Sequence, residues 1–493
     1  MAARKSKVAL GFASASGASD APGFIPASDA SGLAAVPTAS DLAAVPTASG
    51  TPASTLASLR QPIYNPAFEC ASRDEVRARQ FELLIEQVAW AYERVPFYRE
   101  QFDAIGLRPA DIRTHDDVRK IPFTTKSALR DTYPYGLIAV PLNEIIRLHA
   151  SSGTTGKPIV VGYTRDDIEQ WRYCIMSVAQ MAGVVPGDRA QMAFGYGMFT
   201  GGFGLHYGME GLGVMMIPAS AGNTERHIMM IEDYGTTVLI ATPSYALHIC
   251  EVGERLGYDW EKSQLRVGLF GGEPCSPKLK AEIESRMHIF CTDNYGLTEV
   301  MGPGVSGECL SARDQQHIVE DHFYWEVIDP ETLEPVPDGC PGELVLTPLQ
   351  KKGIPLLRYR TRDLTSVTTE PCGCGRTSAR MDKVRRRSDD MLIIRGTNVY
   401  PSQIEDVLAG IAGASAYYRL EVDNATGLDR LTLNLEVEPA VFTDSFTEMD
   451  IFRRSVADKL RAVLQVSVVV RLVEPGSIER VMGKTKHVED RRE

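Results

Sequence analysis

The sequence predicts an α/β chain, with a large N-terminal domain of layered β-sheets and helices, a β-rich subdomain within it, and a small α+β C-terminal lid domain. Three observations predict this. Strand-like and helical segments alternate between residues 190 and 270, the rhythm of a layered sheet. Residues 318 to 370 change to short strands separated by Pro, Gly and Asp turns. After Asp389 the order is strand, helix, two strands, helix, strand, enough for a compact unit of about 100 residues. At 493 residues and 44% hydrophobic content the chain can bury a large core, and its length suggests two to four domains.

Residues 1–66 are mostly Ala, Ser, Gly, Pro and Thr, and Leu33 to Ser40 recurs as Leu42 to Ser49. Low complexity of this kind predicts a disordered, solvated tail. The basic residues Arg4, Lys5 and Lys7 precede an apolar run too short for a secretory signal, and the first acidic residue is Asp20, which leaves an organellar transit peptide as the alternative. The N-terminal domain is expected over 67–388 and the lid over 389–493. From Glu75 to Phe102 apolar residues recur at helical spacing, with Phe81, Leu84, Ile85, Val88 and Ala89 on one face. Val95-Pro96-Phe97-Tyr98 breaks or kinks that helix.

The centre of the pattern is His149-Ala150-Ser151-Ser152-Gly153-Thr154-Thr155-Gly156-Lys157-Pro158, held between β-branched runs at Glu144 to Leu148 and Ile159 to Tyr163. Glycine lets successive N–H groups converge on an anion, the hydroxyls donate further bonds and Lys157 adds a positive charge, so the stretch reads as a phosphate-gripping loop. It is not a Walker A loop, because Ser151 and Pro158 stand where that motif needs a glycine and a hydroxyl residue. Downstream, Asp166 to Ala182 reads as a helix and Ala190 to Phe194 as a strand. Gly213 to Ile217, Thr237 to Ala241 and Leu265 to Phe270 follow as strands, with helices at Glu225 to Tyr234 and Tyr245 to Leu256. Short strands are expected at His322 to Ile328, Gly342 to Thr347 and Leu364 to Thr369. The lid is read as Leu392 to Arg395, Pro401 to Ala409, Tyr418 to Val422, Leu431 to Val437, Asp450 to Leu464 and Ser467 to Leu472.

The formal charge of −12 argues against a nucleic-acid surface, so anionic ligands need local basic sites. No apolar run reaches the roughly 18 residues of a membrane helix. Nine scattered cysteines read as reduced thiols in a cytoplasmic protein.

Six further motifs follow the loop in order: Thr242-Pro243-Ser244, Phe270-Gly271-Gly272-Glu273-Pro274, Asp293-Asn294-Tyr295-Gly296-Leu297-Thr298-Glu299, Tyr359-Arg360-Thr361-Arg362-Asp363, Arg387-Ser388-Asp389-Asp390-Met391 and Met482-Gly483-Lys484. From about residue 70 onward the chain resembles the acyl-adenylate-forming enzymes, and among them the phenylacetate:CoA ligase family. The resemblance implies that ATP activates a carboxylate as acyl-AMP and that CoA then displaces AMP. It assigns Ser151, Ser152, Gly153, Thr154, Thr155, Gly156 and Lys157 to the phosphates, Thr155 with a catalytic part, and Glu299 to Mg²⁺. It places Asp363 on the ribose hydroxyls and Gly272, Glu273, Pro274, Asn294, Tyr295 and Gly296 in the adenine slot, with Thr298 and Arg387 also at the nucleotide. Lys484 matches the catalytic lysine, with Lys486 as the rival, and Asp389 matches the hinge, although Arg386 stands where the family has glycine.

Phe194-Gly195-Tyr196-Gly197-Met198-Phe199-Thr200-Gly201-Gly202-Phe203-Gly204 sets aromatics among glycines, as a cleft for a flat ring would. Phe194, Tyr196, Phe199 and Gly201 are its expected lining, phenylacetate its expected acid, and Cys275, where the family often carries Trp, leaves ring substituents open. Cys309, His317, Cys372 and Cys374 compose a closed tetrahedral zinc set. His322 is the competing imidazole, His317 the better match to the family, and the ion is expected to pin the β-rich subdomain. The expected protein is therefore an ATP- and Mg²⁺-dependent aryl-acid:CoA ligase, free of nucleic acid and membrane, with a homodimer admitted. An adenylyltransferase that stops at AMP transfer, as the deazaflavin-adenylating synthetases do, is one rival. A catalytically silent adenylate-binding scaffold is the other.

Overall fold

The computed structural model describes residues 61–151, 158–384, 386–388, 392–394, 397–424, 429–439, 441–443, 445–464, 466–479 and 487–492. The expected site residues Ser152 to Lys157, Asp389, Lys484 and Lys486 lie outside the described residues.

The body begins earlier than composition suggests. Arg376 donates to the Pro62 carbonyl at 2.6 Å, Asn65 donates to the Tyr173 hydroxyl at 2.7 Å, and Tyr64 meets the Tyr173 ring edge-on, so residues 62–66 pack on the body although their composition placed them in the tail. Ser72 and Glu75 form a capping box that starts the helix Arg73–Arg94. Pro96 then ends it and occupies the first turn of a second helix, Pro96–Ala104, as its missing N–H and fixed φ require.

A nine-stranded sheet forms the centre. From one edge its order is Val367–Thr368, Arg380–Asp382, Gln315–Ile318, Gly302–Glu308, Phe290–Leu297, Val267–Gly271, Val238–Ala241, Arg189–Met192 and Met215–Ile217. The last five strands are parallel. Every residue of Val238–Ala241 and Val267–Gly271 is buried, because the helices Pro243–Arg255 and Pro277–Met287 and their neighbours cover the sheet. That is why the sequence there is a continuous apolar run rather than an alternating one.

One helix was not anticipated from the sequence. Thr200–Gly211 is helical despite five glycines, a composition that disfavours a helix by about 1 kcal/mol at each. Close packing explains it. A Cβ on Gly204 would lie 2.2 Å from the Trp171 ring, and one on Gly208 would lie 2.1 Å from Ile175, so glycine lets this helix seat against the helix Arg165–Met181. Gly208→Ala is therefore expected to cost about 1–3 kcal/mol as overpacking, read as a lower Tm in thermal unfolding. An unchanged Tm would mean that the two helices separate at no cost.

A second, four-stranded antiparallel sheet runs Phe323–Ile328, Gly342–Pro348, Tyr359–Thr365, Arg386–Arg387. Its third strand starts and ends earlier than the expected Leu364 to Thr369, which puts Asp363 inside it, opposite Arg387. The C-terminal segment has its own apolar core, including Ile404, Leu420, Leu433, Val456 and Leu460. There the helices Pro401–Ala409 and Phe446–Leu464 accompany a mixed sheet ordered Val468–Val473, Arg430–Val437, Ala414–Asp423, Val488–Asp490.

Candidate active site

The parallel strands bring the motifs together. In an open α/β sheet the ligand crevice lies beyond the carboxyl ends of the strands. Arg189–Met192 leads into Phe194 and Tyr196, Val238–Ala241 into Thr242-Pro243-Ser244, and Val267–Gly271 into Gly272-Glu273-Pro274. Phe290–Leu297 carries Asn294, Tyr295 and Gly296 and runs on into Thr298 and Glu299. Hydrogen bonding between neighbouring strands thus puts motifs remote in sequence along one rim.

The phosphate-loop candidate hangs from a hairpin in which Arg147–Ala150 pairs with Val160–Tyr163. Ser151 closes its base, donating its N–H to the Ile159 carbonyl at 2.9 Å and accepting the Ile159 N–H on Oγ at 3.2 Å. The Met198 carbonyl accepts from the Ala150 N–H at 2.9 Å and from His149 Nδ1 at 3.1 Å, which ties the hairpin to the segment after Met192. That bond fixes the His149 tautomer, and burial holds its pKa below the usual imidazole value.

Gly272 has φ +82°, a conformation only glycine adopts without strain, and turns the chain directly at the strand end. Glu273 does something the sequence reading missed. Its Oε1 accepts the Ser244 N–H at 2.7 Å, capping the helix Pro243–Arg255 from a neighbouring strand end. Glu273 and Pro274 also border a crevice whose other wall includes Tyr417, Tyr418 and His487. Asn294 donates to the Phe270 carbonyl at 2.6 Å, fixing two adjacent strand ends.

Asp363 is the polar hub. It accepts the half-buried Tyr295 hydroxyl at 2.5 Å on one oxygen and Arg387 Nη1 at 2.7 Å on the other. Burial, and next the Asp363 charge, hold the Tyr295 phenol well above its usual pKa, so it stays a neutral donor. Arg362, immediately before, has φ +67°, an uncommon conformation for a non-glycine residue beside a candidate site.

Glu299 is 7% exposed and has Lys126 Nζ 3.6 Å from Oε1. Nearby, Lys351 is fully buried, donates to the Val300 carbonyl at 2.9 Å and lies over the Tyr163 ring, and burial pushes its pKa down to about 7. Tyr163 donates to Met301 O and Trp171 to Pro303 O, so the turn after Glu299 is held from beneath. Thr298 and Thr200 share a hydroxyl–hydroxyl bond at 3.2 Å.

Of the expected ring cleft, Phe194 is buried, Tyr196 half-buried and Phe199 43% exposed. A Cβ on Gly201 would lie 2.3 Å from the Phe199 ring, so glycine lets that ring pack directly against the backbone there. Tyr196 hydrogen-bonds His206 Nδ1 at 2.9 Å, and His206 Nε2 meets Glu210 at 3.0 Å. Because a carboxylate only accepts, Nε2 is the donor to Glu210, and Tyr196 begins a chain of bonds that runs outward to that exposed carboxylate.

The four-residue sulfur and imidazole set is assembled, with its ligand atoms all within 4.8 Å of one another. Cys309 Sγ lies 3.7 Å from Cys372 Sγ, and Cys374 Sγ lies 3.4 Å from His317 Nε2. His322 is engaged elsewhere, between Asp321 and Gln170. The set sits where His317 pairs with Arg380, near the edge of the nine-stranded sheet, with Cys309 and His317 before and Cys372 and Cys374 after residues 318–370, the expected β-rich subdomain.

No helix among the described residues is long and apolar enough to cross a membrane. A family model described as AMP-binding enzyme matches residues 116–348, and one described as AMP-binding enzyme C-terminal domain matches residues 396–492. The chain is 46% identical over 426 residues to a phenylacetate-coenzyme A ligase of Aromatoleum evansii, covering 86% of this chain and 96% of that one. Among solved structures, 2-hydroxyisobutyryl-CoA ligase in its postadenylation state superposes with TM-score 0.81 at 28% identity, over 86% of this chain and 91% of that one. The same enzyme with CoA in its thioesterification state gives 0.65 at 29% identity, over 87% and 92%.

Proposed function

The chain belongs to the phenylacetate-CoA ligase family of AMP-binding enzymes, and from that premise we propose that it converts an arylacetic acid, phenylacetate foremost, into its CoA thioester through an acyl-adenylate. The observation that carries the reading is the rim itself, where four strand ends present Phe194, Ser244, Gly272 and Glu299 beside the Asp363 hub. In the first step the carboxylate oxygen attacks the α-phosphorus of ATP and pyrophosphate leaves. In the second the CoA thiol attacks the acyl carbon and AMP leaves.

Ser151 to Lys157 grip the β- and γ-phosphates, with Thr155 at the reacting end. Asp363 accepts the ribose hydroxyls and Tyr295, Asn294, Gly296 and the turn Gly272-Glu273-Pro274 shape the adenine slot. Lys484 bridges substrate carboxylate and α-phosphate. Glu299 fits magnesium, since one hard carboxylate with phosphate oxygens is a ligand set that ion takes. Bound there, the ion supplies charge neutralisation on the departing pyrophosphate. We divide the chain into a catalytic domain over 67–388 and a lid over 389–493 that turns about Asp389 between the steps. The fall in TM-score from 0.81 to 0.65 between two states of one related ligase supports that motion, with this chain nearer the postadenylation form.

Zinc fits the sulfur set on geometry. Tetrahedral Zn–S bonds of about 2.3 Å place neighbouring ligand atoms about 3.8 Å apart, close to the 3.7 and 3.4 Å found. His317 Nδ1 bonds Ser378 Oγ at 2.9 Å, which leaves Nε2 for the ion, and the backbone N–H groups of Ala312 and Arg376 donate to Cys309 and Cys374.

The test of the whole reading is pyrophosphate release from ATP and Mg²⁺ with phenylacetate, ring-substituted phenylacetates, benzoate and acetate, each with and without CoA. Phenylacetate-dependent release followed by thioester on adding CoA is expected. Release without thioester would favour an adenylyltransferase, and silence across the panel would overturn the reaction class or the acid.

A further inference from the structure

Lys126 belongs to none of the motifs that identify the site, yet its ammonium is 3.6 Å from the Glu299 carboxylate. Its side chain is 40% exposed and that of Glu299 9%, so the lysine approaches the carboxylate from the solvent side of the rim. Its position is built. Thr124, two residues before it, donates to the Leu357 carbonyl at 2.7 Å and shares a bond with the buried Tyr98 hydroxyl at 2.9 Å. Thr124 also exchanges backbone bonds with Arg358 and Arg360, as a bridge alongside Tyr359. The start of the helix Lys126–Asp131 is therefore anchored to the strand that carries Asp363.

The other lysine at Glu299 cannot do the same work. Lys351 is 0% exposed and donates a hydrogen bond to the Val300 carbonyl beneath the turn. Among the described residues, Lys126 is then the cation that meets Glu299 from the side where a triphosphate would enter. A carboxylate on a rim that must receive a polyanion repels it at short range, and a flexible ammonium beside it removes that repulsion and can follow the charge as it moves.

We propose that Lys126 is a phosphate-binding residue of the adenylation step, its ammonium neutralising Glu299 while nucleotide is absent and pairing with an oxygen of the departing pyrophosphate when ATP is bound. This rests on the assignment of Glu299 as the magnesium carboxylate. The proposal separates the two half-reactions, because pyrophosphate is present only in the first.

The experiment compares wild type, Lys126→Met, Lys126→Arg and Glu299→Gln in two assays on the full chain. One is phenylacetate-dependent pyrophosphate release with ATP and Mg²⁺. The other is thioester formation from CoA and chemically prepared phenylacetyl-AMP. Lys126→Met is expected to lose about 30-fold in kcat/KM for ATP, the worth of one charge-assisted contact, and Lys126→Arg to recover most of it. Thioester formation from preformed adenylate is expected to stay within about twofold of wild type in both, which also shows that the variants fold. Unchanged pyrophosphate release in Lys126→Met, with Glu299→Gln impaired, overturns the proposal alone. Equal losses in both assays overturn it in favour of a structural role. Glu299→Gln with undiminished release removes the magnesium assignment and the proposal with it.

Discussion

Lys484→Ala is expected to slow phenylacetate-dependent pyrophosphate release at least about a hundredfold while leaving thioester formation from preformed phenylacetyl-AMP close to wild type. The two half-reactions place charge at different atoms. In adenylation a carboxylate must come within bonding distance of a phosphorus bearing negative oxygens, and a positioned ammonium between them relieves a repulsion that exists only there. Removing one preorganised donor at such a point typically costs about 3–4 kcal/mol of barrier, which is the hundredfold and more. In thioester formation the carboxyl group is already joined to AMP as an anhydride, and the lid that carries Lys484 has turned away if its motion follows the related ligase. Lys486→Ala is the control. Should it show the larger loss, the two lysines exchange roles. Equal damage to both half-reactions by Lys484→Ala would mean that the residue supports the fold of the lid instead of the chemistry.

What the sequence made legible follows physical range. Strands such as Val238–Ala241 were readable because burial on both faces demands an unbroken apolar run, and the helix Pro401–Ala409 because a proline start and apolar spacing mark it locally. The hairpin that carries the phosphate-loop candidate was only partly readable: its second arm, Val160–Tyr163, follows a β-branched run, whereas the first, Arg147–Ala150, has no β-branched residue and starts later than the expected Glu144 to Leu148. The helix Thr200–Gly211 was not, since its glycines answer to Trp171 and Ile175 on another helix and local propensity points the other way. Glu273 as the cap of Pro243–Arg255 was equally hidden, because the bond exists only once two parallel strands lie side by side. Lys126 had no signal at all in its own neighbourhood, its partner being a carboxylate brought there by the far side of the fold. The cysteine set lay between these cases. Cys-x-Cys and the resemblance named Cys309, His317, Cys372 and Cys374 in the sequence, and the structure brings those four together, but that they gather near the edge of the large sheet required the strand pairing.

That edge is where loss of the proposed zinc is expected to be felt. Cys309 opens the short connection between the fourth and third strands from that edge and His317 lies in the third, while Cys372 and Cys374 lie on the connection between the two outermost strands, Val367–Thr368 and Arg380–Asp382. The second connection also carries Arg376, fully buried against Glu69, and Thr377, which bonds Ala71, so it is the clasp on which the N-terminal segment is fastened. An ion joining Cys309 to Cys372 closes a sequence separation of 63 residues. In the chain-entropy account a cross-link of that span is worth about 4 kcal/mol. Spread over the unfolding entropy of a body of this size, that corresponds to a fall in Tm of roughly 5 °C. Protein purified without chelator is therefore expected to hold about one zinc per chain by elemental analysis. Stripping the ion should lower Tm by that amount and open the 369–379 connection to limited proteolysis, and added zinc should restore both. Cys374→Ser should reproduce the loss in Tm and resist rescue by zinc, because a hydroxyl does not replace a thiolate in such a set. Metal-free protein with the same Tm and the same proteolytic pattern would show that packing around Arg376 and Glu69 holds the clasp unaided.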